Sequence, residues 1–185
     1  MGDTVFLDRD GVINQDSAAY VKDPSEFEFI PRSPEAIALL TQSGFQVIVI
    51  TNQSMIGRNL VPKESLEAIF EKMKAGVEAA GGRITDIFYC PHVDEDRCSC
   101  RKPEPGLIFQ AQKKYQIDLG RSFMVGDSTK DILCARNAGC AKAILVKTGN
   151  GAGALAELSR NPIPPDHVAE DLYDAACWII QSARG

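Results

Sequence analysis

Two aspartates separated by one residue stand where the first apolar run of the chain ends, in Asp8-Arg9-Asp10-Gly11. Carboxylates at this spacing can serve as a nucleophile and a general acid/base, and together they help to hold a hard cation. Gly11 allows a sharp turn without a Cβ. Taken alone, the tetrapeptide is equally an ordinary turn with a helix cap. A second polar group, Thr51-Asn52-Gln53-Ser54, follows another apolar run, and its hydroxyl and amide donors suit phosphate oxygens. A third, Arg101-Lys102-Pro103, offers a lysine that can neutralise phosphate. The fourth, Gly126-Asp127-Ser128-Thr129-Lys130-Asp131, adds Asp127 as a further carboxylate for a metal, while Asp131 orients the loop or begins a helix. Singly, the second and third groups are more simply a polar loop and a surface lysine.

A different chemistry is written into Cys90-Pro91-His92 and Cys98-Ser99-Cys100. Three thiols and an imidazole suit tetrahedral zinc, and four protein ligands leave no open position for a catalytic water, so the site reads as structural. Asp94, Glu95 and Asp96 inside the loop invite a calcium reading, but soft sulfur ligands favour zinc. The knot directly precedes Arg101-Lys102 and is expected to fix both side chains over the reactive groups. Cys134, Cys140 and Cys177 lie in apolar or helical surroundings and read as small buried hydrophobes.

The elements that must position these groups alternate. Short runs rich in Val, Ile and Phe at Thr4–Leu7, Gln46–Ile50, Ile84–Tyr89, Phe123–Val125 and Ala143–Val146 read as buried strands. Helical patterns separate them. Ser33-Pro34-Glu35 is expected to cap a helix continuing through Ala36–Gln42 and stopping at Gly44. Pro62 precedes an apolar face of Leu66, Ile69, Phe70, Met73 and Val77 that ends at Gly81-Gly82. Further helices are expected over Gly106–Tyr115, Lys130–Asn137, Ala152–Ser159 and Glu170–Ser182, with Asn161–Asp166 a surface loop. The pattern predicts one α/β domain spanning residues 1–185, a doubly wound parallel sheet with helices on both faces. In such folds the ligand lies beyond the carboxyl ends of the strands, where the four groups stand.

With a net charge of −5 and its basic residues dispersed, the chain lacks the clustered positive face that nucleic acid requires, and an acidic membrane surface would repel it. No apolar run approaches the ~20 residues of a membrane span, and the amino terminus lacks an apolar stretch of signal-peptide length. A cytoplasmic monomer acting on a small ligand is expected.

Taken together, the Asp8/Asp10 pair, Thr51, Lys102 and Asp127 resemble, in order, the four motifs of the haloacid dehalogenase superfamily, over nearly the whole chain. The resemblance implies that Asp8 is a nucleophile forming an aspartyl-phosphate and Asp10 its acid/base. Thr51 and Lys102 would hold the phosphoryl group, and magnesium would be bound by Asp8, Asp127 and the Asp10 backbone carbonyl. The zinc loop is similar to those of the heptose bisphosphate phosphatases and the related histidinol-phosphate phosphatases. Thr51-Asn52-Gln53-Ser54 with Ile56 and Arg58, Asn14, the Asp16–Tyr20 loop and Phe27-Glu28-Phe29-Ile30-Pro31 resemble the heptose pattern, whereas histidinol enzymes usually place Asp where Ser54 stands. The five-residue zinc spacer is shorter than in some heptose enzymes and also occurs in the histidinol group.

By this likeness the substrate is a phosphorylated sugar. Asp16, Tyr20, Thr51 to Ser54, Arg101 and Lys102 would line its site, Arg101 would meet a remote phosphate, and Ser128 would stand where some relatives have lysine. No insertion between the motifs is large enough for a cap domain. Signalling receiver domains also combine carboxylates, Thr and Lys on a doubly wound sheet. Their phospho-aspartate must persist, however, and Asp10 is placed to hydrolyse one. A catalytically inert, zinc-stabilised binding module is the remaining alternative.

Overall fold

The computed structural model describes residues 3–160 and 163–183. Six parallel strands form one sheet in the order β3-β2-β1-β4-β5-β6. They are β1 (Thr4–Leu7), β2 (Gln46–Asn52), β3 (Asp86–Cys90), β4 (Phe123–Gly126), β5 (Lys142–Val146) and β6 (His167–Ala169). Side chains alternate between the two faces, as the strand period demands. Val5, Leu7, Val47, Val49, Phe123 and Val125 point to one core, and Phe6, Ile48, Ile50 and Met124 to the other. The first core is covered by α1 (Ser33–Gln42), α3 (Lys63–Ala79) and α7 (Leu172–Ser182). The second lies under α4 (Gly106–Tyr115), α5 (Thr129–Ala138) and α6 (Gly151–Leu158). A sheet buried on both faces explains why its strands are almost continuously apolar.

The chain winds outward from β1 to β3 and then crosses to β4 on the other side of β1, so that β1 and β4 are neighbours in space. This reversal opens a crevice at their carboxyl ends. The connection from β1 to α1 lies over that crevice. It is held down by bridges from Asn14 to Asp10 and Phe29, by an edge-to-face contact of Phe27 and Phe29, and by Lys72 donating to the carbonyls of Pro24 and Phe27.

Several boundaries differ from expectation. β2 runs on through Thr51 and Asn52, and β3 through Cys90, so these side chains are placed by strand pairing rather than by a loop. A short helix, α2 (Ser54–Gly57), follows β2 directly. β6 escaped the reading because three residues carry too little periodicity to register. Within the expected 161–166 loop, Asn161 and Pro162 lie outside the described residues. Asp166 anchors its far end by exchanging hydrogen bonds with the backbone of Ala143. α7 begins after Asp171, whose carboxylate caps it by accepting from the Asp174 N–H, and not at Glu170.

Ser33 is not the cap of α1. That position belongs to Arg32, in a left-handed conformation with its guanidinium 3.5 Å from the Tyr173 ring centroid. The buried Ser33 hydroxyl instead donates to the Ile13 carbonyl at 2.6 Å, tying the helix to the connection over the crevice. No helix among the described residues is long and apolar enough to cross a membrane.

Candidate active site and metal centre

Asp8 stands at the carboxyl end of β1, its N–H bonded to the Val125 carbonyl of β4. Lys102 reaches it from the segment between the cysteine loop and α4. The buried Lys102 ammonium lies 2.8 Å from Asp8 Oδ1 and 2.6 Å from Asp131 Oδ1, and donates to the Ile50 carbonyl at 3.1 Å. The ammonium is thus ion-paired with two carboxylates while it donates to a carbonyl. Burial works against its charge, but the carboxylates of Asp131 and Asp8 more than compensate and raise its proton affinity above that of an ordinary lysine. The Lys102 backbone is clamped by Asn52, whose Oδ1 accepts from its N–H at 3.1 Å and whose Nδ2 donates to its carbonyl at 3.2 Å.

Ligand atoms of Asp8, Asp127 and Asp131 all lie within 4.8 Å of one another. Asp131 is also committed elsewhere: its Oδ2 accepts from the Ser128 hydroxyl and N–H at 2.6 and 3.1 Å. One lysine cannot balance three such carboxylates. Burial above all, with the charges of Asp131 and Asp127, pushes the Asp8 carboxyl up to about 8 despite Lys102. Burial and the Asp131 charge push Asp127 up to about 6. This uncompensated cluster of hard oxygens fits a divalent cation such as magnesium.

Asp10 faces a different environment. Its Oδ1 accepts from Arg9 Nε and Nη2 at 3.1 and 2.6 Å and from Asn14 Nδ2 at 2.9 Å, while Oδ2 accepts from Gln53 Nε2 at 2.9 Å. Burial would raise its proton affinity, but the Arg9 charge and these donors hold the carboxyl below its usual value. Its side chain is thereby turned from the Asp8/Asp127/Asp131 cluster.

The second centre is built from Cys90 at the end of β3 and the loop that follows. Cys90, Cys98 and Cys100 sulfurs stand 3.2–3.5 Å apart, and His92 Nδ1 lies 3.5 Å from Cys90 and 3.4 Å from Cys100. A tetrahedral ion with metal–sulfur bonds of about 2.3 Å needs sulfurs roughly 3.7 Å apart. The four atoms are thus close to ligand geometry and far from the S–S distance of a disulfide. Arg101 folds back on this loop, with Nε 2.7 Å from Asp94 Oδ1 and Nη1 donating to the His92 carbonyl at 3.2 Å. Asp94 also draws in Lys130 at 3.5 Å. The hydrogen bond from Arg101 lowers the Asp94 carboxyl to about 2, and the contacts of Asp94 are to the side chains of Arg101 and Lys130 at the cleft rim.

Comparison with known proteins agrees with this geometry. Residues 99–175 match the HAD-hydrolase-like family model. The D-glycero-β-D-manno-heptose-1,7-bisphosphate 7-phosphatase of Bordetella bronchiseptica is 44% identical over 97% of this chain and 98% of its own. The Pseudomonas aeruginosa enzyme of the same name is 42% identical over 96% and 97%. The crystal structure of the B. bronchiseptica D,D-heptose 1,7-bisphosphate phosphatase, complexed with magnesium and phosphate, superposes with a TM-score of 0.91, covering 97% of this chain and 99% of that one. This chain belongs to the heptose bisphosphate phosphatase family of haloacid dehalogenase-like hydrolases.

In this family member the motif residues converge on one cleft of about 330 Å³. Asp8, Asp10, Asp16, Tyr20, Thr51, Asn52, Ser54, Arg101, Lys102, Asp127 and Ser128 all line it. Gln53 does not. It is buried behind Asp10 at the turn between β2 and α2, held there by its amide donating to Asp10 and to Thr51 Oγ1. Ser128 spends its hydroxyl on Asp131. Sequence reasoning passed over Ser17, Lys130 and Asn150, which also line the cleft. Asn150 had a legible signal: Thr148-Gly149-Asn150 follows β5 directly, so a fifth strand end carries polar groups.

The raised carboxyls make a testable demand on stability. The folded protein holds protons on Asp8 and Asp127 that the unfolded chain releases near its ordinary value of 3.8. Stability without added divalent cation should therefore fall as pH rises from about 4 to about 8. Asp127→Asn should flatten that fall in urea-unfolding curves taken across the range; an identical slope in the variant would contradict the charge imbalance.

Proposed function

We propose that this protein hydrolyses the 7-phosphate of D-glycero-β-D-manno-heptose 1,7-bisphosphate through an aspartyl-phosphate on Asp8. The observation that carries the reading is the convergence of Asp8, Lys102 and Asp127 on one cleft, in a chain 44% identical, end to end, to a phosphatase named for that substrate. Magnesium bound by Asp8, Asp127 and the Asp10 carbonyl would supply the positive charge that lets a carboxylate approach a phosphate dianion.

The chain's own groups do the rest. Asp8 attacks phosphorus, forming an O–P bond while the bond to the sugar oxygen breaks. Lys102 keeps the Asp8 carboxylate oriented, and Thr51 donates to the phosphoryl oxygens. Asp10 protonates the departing sugar oxygen. Its donors hold it as an anion at rest, and the negative charge of the arriving phosphate raises its proton affinity, so it takes up from solvent the proton that it then delivers. Asp10 then accepts a proton from water as that water attacks phosphorus, releasing phosphate and restoring Asp8. Asp16, Tyr20, Asn52 and Ser54 surround the sugar, and Arg101 at the rim meets the remote phosphate. Gln53 acts from behind, on Asp10 and Thr51. The cysteine centre would hold zinc as a structural ion that fixes Arg101 and Lys102. The same reading describes a cytoplasmic monomer.

Phosphate release should be measured from the heptose bisphosphate and from histidinol phosphate side by side, with magnesium and after chelation. Magnesium-dependent preference for the bisphosphate, with the phosphate at C1 retained, is expected. Preference for histidinol phosphate would overturn the substrate assignment. Asp8→Asn should lower kcat by at least about 1,000-fold with no loss of melting temperature, and substantial residual turnover would sink the covalent mechanism.

For the second centre, elemental analysis should find about one zinc per chain. Cys98→Ser should reduce that content and lower the melting temperature. A variant with unchanged melting would show that the ion does not hold the loop.

A further inference from the structure

Between β5 and α6, Thr148-Gly149-Asn150 packs hard against the turn after β1. Thr148 Oγ1 donates to the Gly11 carbonyl at 2.6 Å. A Cβ on Gly149 would lie 2.5 Å from Gly11 Cα and 2.2 Å from Asp127 Oδ2, so only glycine permits this approach. Gly149 also has φ +57°, a conformation glycine adopts without strain.

The close approach delivers Asn150 to a defined place. Its backbone N–H donates to Asp127 Oδ2 at 2.8 Å. Its side-chain Nδ2 reaches the same oxygen at 3.3 Å and Asp16 Oδ2 at 3.0 Å. A primary amide has two protons, and here they serve carboxylates from two different connections. Asp127 belongs to the cluster that fits a cation, and Asp16 to the loop over the cleft. These two acids repel each other. A lysine between them would hold both but would spend positive charge that a divalent cation must otherwise supply. A neutral amide joins them and leaves the charge of the cluster intact.

We propose that Asn150 is a positioning residue that ties the Asp16 substrate loop to the Asp127 corner of the cation site, so that the loop and the site are set together. The inference rests on the phosphatase reading for its substrate, but the link to the cation site stands on the geometry of the resting protein. Without the side chain, Asp16 keeps the local hydrogen bond of its Oδ1 to the Ser17 N–H at 2.8 Å. Asp127 keeps the backbone N–H of residue 150.

Three variants test it: Asn150→Ala, Asp16→Ala and the double variant. Magnesium binding to the substrate-free protein is measured by calorimetry, and KM and kcat by phosphate release. Asn150→Ala should weaken magnesium binding by about tenfold, the low end for a group that supports a ligand, because the backbone N–H of residue 150 stays on Asp127. It should also raise KM by about tenfold, with kcat falling less than KM rises. The double variant should be no worse in KM than the more affected single variant, because both remove one link. Unchanged magnesium affinity in Asn150→Ala, or KM effects that multiply in the double variant, would overturn the proposal. Failure of the wild-type protein to turn over the heptose bisphosphate would instead refute the substrate reading, and calorimetry would still decide the role of Asn150.

Discussion

A lysine ammonium taken out of water needs its charge balanced, and Lys102 is paired with Asp8 and Asp131 while it donates to the Ile50 carbonyl. Removing Lys102 would leave the buried carboxylates of Asp8 and Asp131 without their counter-charge, a loss that typically costs about 3–5 kcal/mol. This small group joins parts of the chain that are remote in sequence: the end of β1, the end of β2, the start of α4 and the first turn of α5. Each must arrive in register for the lysine to be satisfied. Asp8 is therefore oriented by the same contact that ties the two halves of the sheet together above the crevice.

The arrangement also leaves charge in excess on one side. Asp8, Asp127 and Asp131 face one another across less than 4.8 Å, and Lys102 balances only part of that charge. A protein organised for stability alone would have replaced one of them with an amide. Retaining the strain makes the cleft a site for a cation, and the raised proton affinity of Asp8 and Asp127 is its electrostatic signature. Asp10, two residues from Asp8, escapes this field because Arg9, Asn14 and Gln53 surround it. Two carboxylates from one tetrapeptide thus acquire opposite environments, which is what a nucleophile and an acid/base require.

Around this centre, rigidity is supplied from outside the sheet. The cysteine loop holds its sulfurs and His92 close to tetrahedral spacing and presents its carbonyl and Asp94 to Arg101. Gly57 of α2 packs its N–H on the Pro91 carbonyl, and Gly106 of α4 packs on Ser99, so the loop is wedged between two helices. The residue that follows Arg101 is Lys102. The cysteine loop and the buried lysine of the cleft are thus one mechanical unit.

The strand–helix alternation, the doubly wound class and the four reactive strand ends were legible in the sequence, because burial on both faces forces continuous apolar runs and catalysis at strand ends needs polar residues directly after them. The cluster of Cys90, His92, Cys98 and Cys100 was legible for a similar reason: thiols and imidazole at short spacing have few uses other than holding a metal. What the sequence could not decide was direction. Whether Gln53 faces the cleft or its back depends on the turn between β2 and α2 and on Asp10 and Thr51, which accept its amide protons. Whether Ser33 caps a helix or bonds the Ile13 carbonyl depends on where a distant loop lies. Asn150 becomes part of the site because two glycines far apart in the chain let backbones touch. Residue types and local periodicity determine what a segment can be, and those are properties of neighbours in sequence. Hydrogen-bond partners and charge balance depend on which segments meet, and only the packed sheet brought them together.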